Sequence, residues 1–416
     1  MLALLWSTIC SVYYHSLVGV YLATVTLVLF GRGWGQLPRR LLTVVNRVIQ
    51  GRMVDDEPIL IDKVSLLSAV TDVEGVTEGD RVFAATVALA TNGISSIVRD
   101  DMLGGFTHAP NTPSILRSMS KSTLARLLHG LGLIFRVGFL FPLRIALMST
   151  AMAFLVVTAV IILLVPGLSR KQRLYFGKTF ARLFNTGTGL VVDFYGHDNR
   201  PKCSGFAVSN HLTANDVMTL YSDCDDIGYT VTGQAHGGFI HALEEFGGRL
   251  TPALWLDRAC SNDRLLFQKK VLEYASSPTN YPILIFPEGF CSNNQFVLQF
   301  RKGVFGGDVP VYPLAIKQDA RFGDSFWKED TYMPYLLRCM LSWALTMQIT
   351  YLPEMRRRAD EPSDEFARRV QVAIGEFLKR PASVYDGGMK RPRDRASYKL
   401  KLEETLYREI LGTYII

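Results

Sequence analysis

The sequence has no C-x-x-C pair among its six cysteines, Cys10, Cys203, Cys224, Cys260, Cys291 and Cys339. That absence argues against a metal knuckle and against a disulfide framework, and it places the folded part in a reducing compartment. Zinc-finger spacing, an aromatic RNP-like pattern and a long basic tract are also missing. The net charge of +7 and the isoelectric point near 9.0 are therefore read as affinity for anionic lipid head groups or phosphate-bearing substrates, with no nucleic acid as partner. A third absence is local: no Asp, Glu, Lys or Arg occurs from Met1 to Phe30, nor from Ile145 to Val165. Each gap is as long as the run of roughly 20 apolar residues that a helix needs to cross a bilayer. These runs account for a mean hydropathy of +0.16 and 48% hydrophobic residues, more than a soluble enzyme of this length needs.

Arg32, Arg39, Arg40, Arg47 and Arg52 follow the first run, so the positive-inside rule puts that side in the cytosol and the N-terminus outside. The run lacks the basic start and the A-x-A site of a cleaved signal peptide and reads as a retained anchor. The second block, Leu131 to Val165, is interrupted by Arg136, Pro142 and Arg144 and has basic residues on both flanks: Arg117, Lys121 and Arg126 before it, Arg170, Lys171, Arg173 and Lys178 after it. Both flanks on one face require a hairpin or re-entrant pair turning near Phe141 to Arg144. The expected organisation is an anchor with its basic flank over 1–50, a linker or loosely packed region over 51–120, a membrane-embedded hairpin over 121–170, a catalytic domain over 171–390 and a helical tail over 391–416.

After Gly196 short apolar runs alternate with helical stretches. Gly205–Ser209, Ile227–Thr232, Ala253–Leu256, Pro282–Phe286, Pro310–Ile316 and Met347–Leu352 read as strands. Alternation of this kind gives an α/β fold with a mostly parallel sheet flanked by helices, whose reactive groups collect at the carboxyl ends of strands.

The chemistry-bearing residues fall at such ends. In Phe206-Ala-Val-Ser-Asn-His-Leu-Thr-Ala-Asn-Asp216 the chain leaves a strand and enters a helix, with His211 in the turn. Positions five apart on one regular helix sit about 140° round the axis and do not meet. A turn at His211 lets Asp216 reach Nδ1, fixing the tautomer and stabilising the imidazolium while Nε2 takes a proton from an alcohol. The competing reading is a Thr213-x-x-Asp216 capping box with His211 merely packed. Pro282-Ile-Leu-Ile-Phe-Pro-Glu-Gly289 is a buried strand and turn that presents Glu288 at a glycine permitting close approach of backbone to a ligand. Arg258 and Arg264 follow another strand, and Arg301 and Lys302 follow the Glu288 motif. Converging cations of this kind suit a phosphate monoester, although each alone is more often a solvated surface residue.

Taken together these segments resemble the glycerolipid acyltransferase family, the glycerol 3-phosphate and lysophosphatidate acyltransferases. Asn210-His211 through Asp216, Trp255 to Arg258, Phe286 to Gly289 and Val309 to Pro313 match its four sequence blocks in order. Cys291-Ser-Asn-Asn294, Phe300-Arg-Lys-Gly303, Phe322 to Trp327, Tyr351-Leu-Pro353 and Asp386-Gly-Gly388 are similar to the microsomal, endoplasmic-reticulum branch of glycerol 3-phosphate acyltransferases. The resemblance covers about Leu131 to Gly412.

The resemblance implies transfer of a fatty acyl group from acyl-CoA to glycerol 3-phosphate, making lysophosphatidic acid, in a multi-pass membrane protein whose catalytic domain faces the cytosol. It implies His211 as base and Asp216 as its partner, and Asn210, Arg258, Glu288 and Gly289 around the acceptor. The neighbourhood of Pro313 falls to the acyl donor, and no metal or redox cofactor is implied. Phe290 where the family has a small hydroxylated residue, Asp257 for Glu and Ala214-Asn215 for a Pro-apolar pair are departures that leave the catalytic groups in place. The rival functions are a lysophospholipid acyltransferase, a thioesterase using water as acceptor, and a catalytically silent scaffold. Cys291 near Glu288 raises a covalent route, but the sequence pairs no second histidine with it.

Overall fold

The computed structural model describes residues 1–47, 104–107, 109, 123–234, 245–256, 261–329, 331–390, 400 and 404. Helix α1, Leu2–Leu29, is the first apolar run; at 1.5 Å per residue its 28 residues extend about 42 Å. Helix α2, Leu37–Val45, starts with a proline in its first turn, where the missing N–H has no intrahelical partner to lose. Leu42 of α2 packs against Phe322 and Ala344, and Arg39 forms an ion pair with Asp193.

Leu131 to Val165 does not form the expected hairpin. Helix α3, Thr123–Phe135, a five-residue π-helical segment, Arg136–Leu140, and helix α4, Phe141–Leu164, make one uninterrupted helix of 42 residues. The sequence features that signal a turn are absorbed in place. Pro142 has no N–H to give the carbonyl of Gly138 four residues back, and the wider π turn falls just before it. Tyr13 of α1 supplies the missing donor, its Oη donating to the Gly138 carbonyl at 2.6 Å. The two arginines dock onto the end of a helix of the folded domain, Tyr332–Leu341, instead of facing water at a turn. Arg136 donates to the carbonyl of Leu341 at 3.3 Å, and Arg144 donates to those of Met340, Ser342 and Trp343 at 2.7, 2.5 and 2.7 Å. Cations suit the negative, unpaired carbonyl end of a helix.

Helix α5, Arg170–Thr188, opens with a capping box of Ser169 and Gln172 and closes on Gly189 at φ 79°. It returns along α4, with Phe180, Leu183 and Phe184 packed against Ala151, Leu155, Ala159 and Ile162; the alanines allow close approach of the two helices.

Seven strands follow: β1 Leu190–Tyr195, β2 Phe206–Ser209, β3 Thr230–Gln234, β4 Ala253–Leu256, β5 Ile283–Ile285, β6 Val311–Asp319 and β7 Leu345–Tyr351. Their order is β1-β7-β6-β2-β5-β3-β4, and every pairing is parallel except β6 with β7. The six expected strands are present with ends shifted by up to three residues. β1 was not expected.

Interspersed are α6 Asp216–Tyr221, α7 Ser261–Ser276, α8 Tyr332–Leu341 and α9 Ser363–Leu378. Side chains alternate across the sheet as strand geometry requires. Phe206 and Val208 face α7 and α9 through Val271, Phe366 and Ile374. Ala207, Leu284 and Ile316 face α5 and α6 through Leu174, Ala181 and Leu220. Both faces are covered, which accounts for the near-continuous apolar reading of β2 and β5. The carboxyl ends of β2, β5 and β6 lie side by side, and the site forms there.

The expected linker at 51–120 and tail at 391–416 lie outside the described residues, apart from 104–107, 109, 400 and 404. The described part of the former docks onto the domain: the N–H and side-chain amide of Asn293 donate to the carbonyls of Gly105 and Thr107 at 2.8 and 3.2 Å, and the Ala109 N–H donates to Asp324 at 2.9 Å.

Candidate active site

The turn after β2 brings together the two residues that helical spacing alone keeps apart. The His211 ring lies 2.9 Å from Asp216, Nδ1 to Oδ2, and the same oxygen accepts the N–H groups of Leu212 and Thr213 at 2.7 and 3.0 Å. An acceptor of this kind requires the hydrogen on Nδ1, which leaves Nε2 to take a proton. The bond from Thr213 is half of a capping box, and the Asn215 N–H donates to Thr213 Oγ1 at 3.2 Å, yet α6 begins only at Asp216. One carboxylate thus serves both alternatives that the sequence poses: it ties down the turn and it orients the ring. Asp216 is fully buried, and its second oxygen has no hydrogen-bond partner.

Two tyrosines brace the turn from the far side. Tyr335 Oη bonds Thr213 Oγ1 and accepts from the Asn215 side chain at 3.2 Å, and Tyr332 Oη donates to Asn215 Oδ1 at 2.7 Å. They stand one helical turn apart on α8, more than 110 residues downstream in the sequence. Sequence reasoning missed them, because two tyrosines at that spacing look like any buried helix face. Asn210 clamps the strand end, its amide donating to the Ile316 carbonyl at 2.9 Å and accepting the Ile316 N–H at 2.8 Å.

The imidazole rests on Phe286, ring centres 4.2 Å apart and nearly parallel. Burial disfavours the imidazolium, but the neighbouring Cys291 sulfur and the Asp216 carboxylate favour it by more, so the His211 pKa is held well above 6.5. Glu288 lies near the imidazole, fully buried, with neither carboxylate oxygen in a hydrogen bond of normal geometry. Burial raises its pKa well above 4.5, opposed by the charge of His211. Unpaired buried acids of this kind cost stability and concentrate at functional sites.

Gly289 turns the chain at φ 70°, and a Cβ there would come within 2.9 Å of the Arg301 guanidinium carbon. Arg301 is half exposed, 3.9 Å from Asp386 and 6.0 Å from the centre of the Phe290 ring. Lys302 is exposed beside it, opening a short 3-10 turn. Pro313 is buried within β6, level with Val208 of β2. Arg264 lies on α7 with its side chain outside the description, and Arg258 lies outside the described residues. Among the described residues no three of His, Cys, Asp and Glu stand close enough to hold a metal ion.

Residues 191–317, the stretch that holds β1 through most of β6, match the acyltransferase family model. The chain is 36% identical over 291 residues to glycerol-3-phosphate acyltransferase 4 of Homo sapiens, an alignment that covers 69% of this chain and 63% of that one. It is 31% identical over 392 residues to glycerol-3-phosphate acyltransferase 3 of Danio rerio, covering 92% of this chain and 85% of that one. The chain belongs to the glycerol-3-phosphate acyltransferase family. Among solved structures it resembles the 1-acyl-sn-glycerophosphate (LPA) acyltransferase PlsC from Thermotoga maritima, with 16% identity, a TM-score of 0.43 and coverage of 57% of this chain and 94% of that one. The His211–Asp216 pair is less exposed than the His197–Asp223 pair, at 17% and 0% against 51% and 19% of the side chains.

Proposed function

We propose that this chain transfers a fatty acyl group from acyl-CoA to the hydroxyl of glycerol 3-phosphate, releasing coenzyme A and lysophosphatidic acid. The observation that carries the reading is the 2.9 Å contact of His211 Nδ1 with the buried Asp216 carboxylate. Nε2 removes the acceptor's proton as the hydroxyl oxygen attacks the thioester carbon. The imidazolium so formed is stabilised by Asp216, and the proton then passes to the departing sulfur of coenzyme A. Arg301 and Lys302, with Arg258 and Arg264, supply cations for the acceptor phosphate. Asn210 acts as a positioning residue, since its amide holds the turn to β6.

A second reading has an observation of its own: Ser292, next to Cys291, donates its N–H to the His211 carbonyl at 2.8 Å, which brings the Cys291 residue close to the histidine. In it the Cys291 thiol gives its proton to His211, attacks the thioester and carries the acyl group before the acceptor takes it. Coenzyme A release by purified His211→Ala and Cys291→Ser protein separates the two. Direct transfer predicts that His211→Ala loses activity by about 10²- to 10⁴-fold, the share of general-base catalysis, while Cys291→Ser keeps it. Loss in both variants, with labelled acyl groups bound to native protein after acid quench, supports the covalent route.

For the membrane we infer that α1 and the 42-residue helix are embedded, in the endoplasmic reticulum, with the catalytic domain in the cytosol. Because α5 packs along α4 and the sheet packs on the other side of α5, the long helix cannot pass straight through the bilayer without taking the domain with it. A helix lying in one leaflet, with Val156, Val157, Val160 and Leu163 toward lipid, keeps both basic flanks on one face.

A further inference from the structure

A cavity of about 730 Å³ lies over the β1–β7–β6 end of the sheet, roofed by α2, and Pro287–Phe300 connects it to His211. That loop carries Glu288 and Cys291 at the imidazole and then Asn293 and Asn294 in the cavity wall, and between them the Ser292 N–H donates to the His211 carbonyl at 2.8 Å. On the other side, Lys317 of the wall directly follows Ile316, which the Asn210 amide grips. The reacting turn and the cavity therefore share two stretches of backbone.

The wall has the marks of a binding site. Asn294 is 4% exposed and held in the left-handed region at φ 69°. Its Oδ1 accepts the Gln318 N–H at 3.3 Å while its Nδ2 has no partner, so a buried donor waits for an acceptor. Four cations line the same space: Arg39 and Arg321 are held by Asp193 and Asp319, whereas exposed Lys317 and Arg380 join no ion pair among the described residues. The volume is that of a site for a cofactor-sized molecule and far exceeds what a three-carbon phosphate fills.

We propose that this cavity binds the nucleotide end of the acyl donor, the 3′-phosphorylated adenosine diphosphate of coenzyme A. Lys317 and Arg380 meet its phosphates, Asn294 Nδ2 donates to it, and the pantetheine arm runs along the 287–300 loop to His211. The inference rests on acyl-CoA being the donor, as proposed above, and locates the nucleotide end of that donor away from His211.

The test is Lys317→Gln with Arg380→Gln in the full-length, detergent-solubilised chain. Both are surface changes, and thermal unfolding checks that the fold is kept. Adenosine 3′,5′-bisphosphate should bind the native chain by calorimetry and inhibit competitively against acyl-CoA. The double variant should bind it at least about tenfold more weakly, the effect of losing one or two charge-assisted contacts. Its KM for acyl-CoA should rise in step, with kcat and the KM for glycerol 3-phosphate unchanged.

A rise in the acceptor KM instead, or unchanged affinity for the bisphosphate, overturns the assignment. So does inhibition by inorganic phosphate as strong as by the bisphosphate, which marks a generic anion site. Bisphosphate binding by His211→Ala protein is read without turnover. A native chain that binds the bisphosphate through Lys317 and Arg380 yet transfers no acyl group keeps this inference and removes the acceptor reading.

Discussion

At the scale of single residues the proposed reaction turns on how tightly Asp216 holds His211. If His211 is the base, the upward shift of its pKa means that kcat/KM should climb with pH along a limb centred above 6.5, the ordinary imidazole value. Asp216→Asn removes the carboxylate that favours the imidazolium; the limb should move down in pH while the maximum rate falls sharply, because the amide also permits the wrong tautomer. A limb that stays in place while activity is kept would assign Asp216 to the turn alone.

The sign for stability follows from the same shift. A raised histidine pKa adds stability that is complete below 6.5 and is lost as pH rises through the folded value. His211 and Asp216 were legible in the sequence because a strand, a turn and a helix start put them in order. Phe286 under the ring could be read only as a strand residue, and Tyr332 and Tyr335 carried no signal, since nothing local ties α8 to a turn so far upstream.

At the scale of elements the long helix is held to the domain by Arg144, whose guanidinium satisfies three carbonyls at the end of α8 and just beyond. Arg144→Ala should lower stability by about 3 kcal/mol, since each buried carbonyl left without a donor costs ~1–3 kcal/mol and the effects overlap. Thermal unfolding in detergent measures it. Arg144→Lys should recover only part, because an ammonium cannot present the guanidinium's planar set of donors. Near-wild-type stability in Arg144→Ala would mean that the packing of α4 on α5 alone fixes the helix.

This is also where sequence reasoning went wrong. Arg136, Pro142 and Arg144 within an apolar run are the ordinary signs of a turn. The π segment just before Pro142, Tyr13 and the end of α8 neutralise all three, and the last two are remote in sequence. The central strands β2 and β5 were readable because both faces of the sheet are covered there, which makes them nearly continuous apolar runs. β1 escaped because its six residues follow a helix directly and include Asp193.

At the scale of the whole molecule, the apolar helices and the catalytic sheet form one body, so membrane and enzyme should separate only on unfolding. Detergent should release the protein from membranes, while high salt and alkaline carbonate should not, because burial of apolar surface is insensitive to charge screening. Release by carbonate would contradict embedding of α1 and of α3–α4. The central claim is the reaction itself, and its most direct measurement is coenzyme A release by the purified full-length chain with oleoyl-CoA, with the product identified. Parallel reactions contain glycerol 3-phosphate, lysophosphatidate or no acceptor. The account predicts that release depends on glycerol 3-phosphate and that the product is lysophosphatidic acid. Release with lysophosphatidate alone would make the chain a lysophospholipid acyltransferase, and equal release without any acceptor would contradict transfer altogether.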